Sequence, residues 1–313
     1  MHVRTTVTAL AVAAALLNSA ATATAATEPL SRPHVVAHFS LASSQQPENI
    51  TVDRTGSAYL TFSFARQIVR LSPGGHLHVP ATLPAPAKAS TPNLGKAFVG
   101  GIARADDGTL YVTYATGTAD LTGVWAVRPG GRPHRIAALP ADGLPNGLAL
   151  DTRRHRLYVT DSVRGVIYSL PADGGTATVW ARGTALEPST FAGANGLKLH
   201  DGAVWATNLD KGTVLRIPVT AHGSAGRIEV RATGMPSIDD FAFTGQGDTL
   251  LAARDDNEVD LVRPDGTHTA VLTAADGLRT PTSVAVHGDT VYVPSAAYLT
   301  NEDPNLLVAH LAH

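Results

Sequence analysis

The chain has no cysteine among its 313 residues. That excludes disulfide staples and thiolate metal sites, so packed apolar surface, strand pairing or an oxygen-bound cation must hold the fold. Net charge is nearly absent too, with a formal value of −2. Such a balance excludes the broad basic field that selects nucleic acid or an anionic membrane surface. No apolar run reaches the roughly 20 residues a membrane-crossing helix needs. Sustained helical periodicity is missing as well. In its place stand 29 glycines and 20 prolines that punctuate short alternating segments. This is the pattern of many strands joined by turns.

Residues 1–25 read as an export signal. Met1-His2-Val3-Arg4 supplies a basic start, Val7 to Leu17 a short apolar core, and Ala23-Thr24-Ala25 a small-x-small cleavage site. Residues 26–313 are then expected to form one secreted domain with no membrane anchor after cleavage.

One short motif recurs through that domain. Pro47-Glu48-Asn49-Ile50 is followed by Val99-Gly100-Gly101-Ile102, Pro145-Asn146-Gly147-Leu148, Ala194-Asn195-Gly196-Leu197, Ile238-Asp239-Asp240-Phe241 and Pro281-Thr282-Ser283-Val284. Aligned on their second residues, the copies are 52, 46, 49, 44 and 43 residues apart, by subtraction of residue numbers. A period of about 40–50 residues marks a solenoid or a propeller. Ten to twelve residues beyond each motif stands Tyr59, Tyr111, Tyr158, Trp205, Leu251 or Tyr292. Each full repeat holds four strands by its alternation and its Pro-Gly or Asp-Gly turns, whereas the last holds three. The pattern predicts an all-β, six-bladed propeller of four-stranded antiparallel blades. The strand at residues 33–41 should close it by pairing with residues 306–309, which leaves no large open edge.

In such a ring the second residues of the motifs converge on one mouth of the central channel. Four of the six carry a side-chain oxygen: Glu48, Asn146, Asn195 and Asp239, with Asp240 next in line. Two carboxylates about 5 Å apart repel by about 3 kcal/mol at an effective dielectric near 20, so the cluster takes up protons or holds a cation. An all-oxygen set of Glu, Asp and Asn suits Ca²⁺, and suits Mg²⁺ or Mn²⁺ less well.

This ordered series resembles the gluconolactonase/SMP-30 and paraoxonase group of six-bladed propellers over roughly residues 33–311. The resemblance implies a central divalent cation, usually calcium, held by Glu48, Asn146, Asn195 and Asp239. Asp240 stands where the paraoxonase branch has a further ligand. It also implies lactonase or esterase chemistry on a small molecule, with Asp239 assisting water activation. The paraoxonase-type histidine has no counterpart, because Gly100 occupies its position.

A second column ends the second strand of each repeat: Phe62, Tyr114, Asp161, Asn208, Arg254 and Ser295. Its varied chemistry is that expected of a specificity ring. Asp161 is a candidate second carboxylate beside the metal and the alternative to Asp239 as catalytic water activator, and Arg254 a candidate bidentate partner for an anionic group, unless a neighbouring carboxylate engages it. Together they favour a polar, anionic small molecule over a protein partner. Loops at residues 81–99, 183–194 and 298–304 are candidate lids, with Phe98 and Phe191 giving apolar contacts. Two alternatives to a hydrolase stand beside it: a metal-bearing propeller that only binds a ligand or partner, and a metal-assisted lyase or cyclase of secondary metabolism.

Overall fold

The computed structural model describes residues 29–312, and the expected export signal lies outside them. The described strands form six four-stranded antiparallel sheets, each a blade. The first blade runs Pro47–Val52, Ala58–Phe62, Gln67–Leu71 and Leu77–Thr82 from the axis outward. Four more blades follow in chain order, with inner strands Phe98–Arg104, Pro145–Asp151, Ala194–His200 and Ile238–Phe243. The sixth combines Ala285–His287, Thr290–Ser295 and Asn305–Leu311 with Leu30–His38 on its outside. The closing pairing predicted from the three-stranded last repeat is therefore present. Its register runs from Leu30 opposite Leu311 to His38 opposite Asn305. The strand starts and ends a few residues earlier than expected, and Phe39 continues the pairing by donating to Pro304 O at 2.7 Å.

The core is divided into wedges between blades. Leu60, Val112, Val159, Ala206, Ala252 and Val293 occupy one position of the second strand in successive blades. All are fully buried, and each belongs to a different apolar cluster. The preceding residue points to the opposite face of the blade, and there the recurrent aromatics pack against the next wedge. Tyr158 and Trp205 are completely enclosed, and Tyr158 meets Trp180 edge-on with ring centroids 4.9 Å apart. Because both faces are covered, every strand position in the middle of a blade contributes burial worth about 1.5–3 kcal/mol per large apolar side chain.

Two local features aim the motif residues at the axis. The register of five inner strands slips at the motif, between Pro47 and Asn49, Val99 and Ile102, Pro145 and Leu148, Ala194 and Leu197, and Ile238 and Phe241. Such bulges turn a side chain out of the ladder. Threonines then tie each bulge to the preceding blade. Thr61 Oγ1 donates to Gly100 O at 2.7 Å and Thr113 Oγ1 to Asn146 O at 2.6 Å, while Thr160 and Thr207 reach Asn195 O and Asp239 O. The glycine after each asparagine serves this close approach. A Cβ on Gly147 would lie 2.3 Å from Asn195 O, and one on Gly196 would lie 2.5 Å from Asp240 Oδ1. Asn-Gly here belongs to packed strand, not to a turn.

Candidate functional site

Glu48, Asn146, Asn195 and Asp239 line one cavity of about 290 Å³. Glu48 is 3% exposed and Asp239 6%. Asn195 Nδ2 donates to Asp239 Oδ1 at 2.8 Å, and Ser162 Oγ lies 3.3 Å from Asn195 Oδ1. Glu48 Oε2 accepts from the Tyr298 hydroxyl at 2.7 Å, and that hydroxyl also lies 2.6 Å from Ser63 Oγ. A further carboxylate, Asp255, lines the same cavity, and among the described residues no Lys, Arg or His does.

The acids share one enclosed cavity, and their proton affinities reflect it. Burial, then the nearby Asp255 and Asp240, push Glu48 up to about 8 despite the bond from Tyr298. Asp239 is held well above the usual carboxylate range by burial and by Glu48. Burial, with Asp256 adding, lifts Asp255 to about 7. A proton or a cation relieves this arrangement. Glu48, Asp239 and Asp255 do not close to within 4.8 Å of one another. Among the described residues the grouping that does is His200, Asp201 and Asp248, at the far ends of the strands.

Asp240 departs from its expected surroundings. Neighbouring residues of a strand point to opposite sides, and its carboxylate is directed away from the cavity. Oδ2 accepts from Asn49 Nδ2 at 2.9 Å and Ser283 Oγ at 2.7 Å, and pairs with Lys198. This ion pair sits beneath the cluster, toward the channel. Gly100 leaves little space for a histidine, since a Cβ there would lie 2.8 Å from Thr113 Oγ1 and 3.1 Å from the Asn146 backbone.

The second column is not brought to the cavity. Phe62 is buried against Phe39 with centroids 4.9 Å apart. The Tyr114 hydroxyl donates to Pro84 O at 2.7 Å. Asn208 fastens the loop before its blade by donating to Ala185 O and Glu187 O, and Ser295 Oγ accepts from Arg279 N at 3.2 Å. Asp161 Oδ1 accepts from the backbone of Leu144, Val163 and Arg164 at 2.9, 3.3 and 3.0 Å, a loop-holding role in place of one beside a metal. Arg254 is taken up by Asp256, by Glu258 at 2.6 Å and by Asp260 at 3.3 Å, so it is not free for an anion.

The reason is a face error of one residue, which inverts every side chain of a strand. The residues one step further are Ser63, Ala115, Ser162, Leu209, Asp255 and Ala296. Of these, Leu209 and Asp255 line the cavity, while Ser63 and Ser162 touch the residues that do. Shifting the column by one position would have found them; Tyr298, in a loop, had no periodic signal. The loops read as candidate lids reach the cavity, where Leu94, Phe98, Phe191 and Leu299 form apolar walls. Asn93 Nδ2 donates to Phe191 O at 2.6 Å and joins two of these loops.

No family model matches the chain, and no curated protein does. Solved structures match its shape. A gluconolactonase from Xanthomonas campestris superposes with a TM-score of 0.66 at 14% identity, covering 90% of each chain. Regucalcin, a calcium-binding protein from Agrobacterium tumefaciens, gives 0.65 at 17% identity over 90% of this chain and 93% of its own. Virginiamycin B lyase from Staphylococcus aureus gives 0.59 at 15% identity over 90% and 100%. The chain is thus a six-bladed β-propeller that shares its architecture, at low sequence identity, with gluconolactonases, regucalcin and a lyase.

Proposed function

We propose that this is a secreted, calcium-dependent hydrolase of lactones or esters. The observation that supports it is the oxygen-only set of Glu48, Asn146, Asn195 and Asp239 on the floor of a cavity lined by no positive side chain. The donor set fits the ion. Two carboxylates and two amide oxygens are hard ligands of the kind calcium takes, and each carboxylate has only one hydrogen-bonding partner among the described residues despite its burial. When bound, the cation supplies Lewis-acid polarisation of a carbonyl.

The chain's own residues do the rest. Tyr298 and Asn195 fix the orientation of Glu48 and Asp239. Phe64, Leu94, Phe98, Leu144, Phe191 and Leu299 exclude water and seat an apolar group. With Arg254 engaged elsewhere, the pocket suits an uncharged substrate with an apolar ring or chain, in place of the anionic one its sequence suggested.

The test is hydrolysis of uncharged aryl esters and lactones by wild type, Glu48→Gln and Asp239→Asn, alongside calcium titration. Turnover should need calcium, disappear with EDTA, and fall by about 100-fold or more in either variant. Calcium binding without turnover of any compound would favour the ligand-binding reading. Absence of calcium binding would remove the metal site itself.

A further inference from the structure

We propose that Asp255 is the base that takes the proton of the attacking water, a role that rests on the hydrolase reading above. Asp255 follows the second strand of the fifth blade, Leu250–Arg254, and its backbone N–H is fixed to Ser237 O at 3.0 Å. The ion pairs of this segment gather around Arg254, which engages Asp256, Glu258 and Asp260. Asp255 itself points into the cavity. Its carboxylate receives no hydrogen bond, and Oδ1 is shut off from solvent without a partner.

That isolation separates it from the other two acids. Glu48 is oriented by Tyr298 and Asp239 by Asn195, as cation ligands require. Asp255 lines the same cavity without such a restraint on its carboxylate from the described residues. It therefore stands in the cavity that holds both the oxygen set and the apolar walls, with a carboxylate free to meet water there. No histidine or lysine lines the cavity to compete for the role. Tyr298 is already committed to Glu48, and burial holds its hydroxyl well above the usual phenol range.

The step balances. The water oxygen bonds to the carbonyl carbon as its proton passes to Asp255. The tetrahedral adduct then breaks its bond to the alcohol oxygen, and that oxygen takes the proton back. One water is consumed, an acid and an alcohol are released, and no electrons change hands.

The experiment compares wild type, Asp255→Asn and Asp255→Ala in aryl-ester or lactone turnover, calcium affinity and melting without calcium. Turnover by both variants should fall by about 100-fold or more, and formate should restore part of the Asp255→Ala rate. Calcium affinity should stay within about threefold of wild type. Metal-free Asp255→Asn should melt no lower than wild type, since a carboxylate with an enclosed, unpartnered Oδ1 is lost. A rate within about threefold of wild type would overturn the proposal while leaving the hydrolase reading intact. A tenfold loss of calcium affinity would also overturn it, making Asp255 a ligand, and a lower metal-free melting point would make it a structural carboxylate. If calcium-loaded wild type hydrolyses nothing, the hydrolase reading fails and the base with it, a result visible in wild type alone.

Discussion

At the scale of single residues, the site stores unfavourable electrostatics that a cation can relieve. Glu48 moves from an ordinary 4.5 to about 8, Asp255 from 3.8 to about 7, and Asp239 rises with them. A carboxyl whose proton affinity is raised on folding favours the folded state when protonated. That contribution is full below about pH 4 and is lost as pH climbs through 7 to 8. The metal-free protein should therefore melt at a higher temperature at pH 5.5 than at pH 8.5, by the contribution of these three acids. Calcium should reverse the order, because it binds the deprotonated forms, and should release protons that calorimetry in buffers of different ionisation enthalpy detects. A metal-free melting point that rises steadily from pH 5.5 to 8.5 would contradict the arrangement. The four oxygen residues were legible in sequence because they repeat with the blades. Asp255 and Tyr298 were not. The first was hidden by the misplaced face of the second strands, and the second by its place in an aperiodic loop.

At the scale of the element, the unit is a bulged inner strand tied to the blade before it. Thr160 Oγ1 accepts from Gly147 N at 2.8 Å while reaching Asn195 O, so one hydroxyl joins two neighbouring blades, next to the proposed ligand Asn146 and at the proposed ligand Asn195. Thr160→Val keeps the shape and removes both bonds, leaving a buried N–H and a buried carbonyl unsatisfied. Each such loss costs about 1–3 kcal/mol, so chemical denaturation should show a destabilisation of about 2 kcal/mol or more. Calcium affinity should fall as well, since Asn195 is no longer held. The four-strand repeat was readable from its period of two and its turn residues. The threonines at 61, 113, 160 and 207 were equally visible, yet a threonine in a strand satisfies β-propensity without further explanation. Their purpose depends on contact between blades, which no local pattern encodes. The fifth and sixth blades have Ala253 and Pro294 there, and at the last joint Thr282 Oγ1 donates to Pro47 O at 2.9 Å instead.

At the scale of the whole molecule, the ring is closed by Leu30–His38 against Asn305–Leu311. Deleting residues 29–38 should bare a long, apolar strand edge containing the buried Leu306, Leu307 and Val308. Size-exclusion chromatography should then show aggregates, where the complete domain elutes as a discrete species. This closure was deducible from a missing fourth strand in the last repeat, an argument from counting that needed no side-chain detail. It also sets an order in time. Of the ring's strands, the one made first has to wait for the one made last, because Leu30 finds its place only opposite Leu311. Blades one to five can assemble from neighbouring segments during synthesis, but the ring stays open until residues 305–311 have been made. A stalled or truncated product is therefore one that chaperones and proteases can recognise by its unpaired edge, and the finished chain is not.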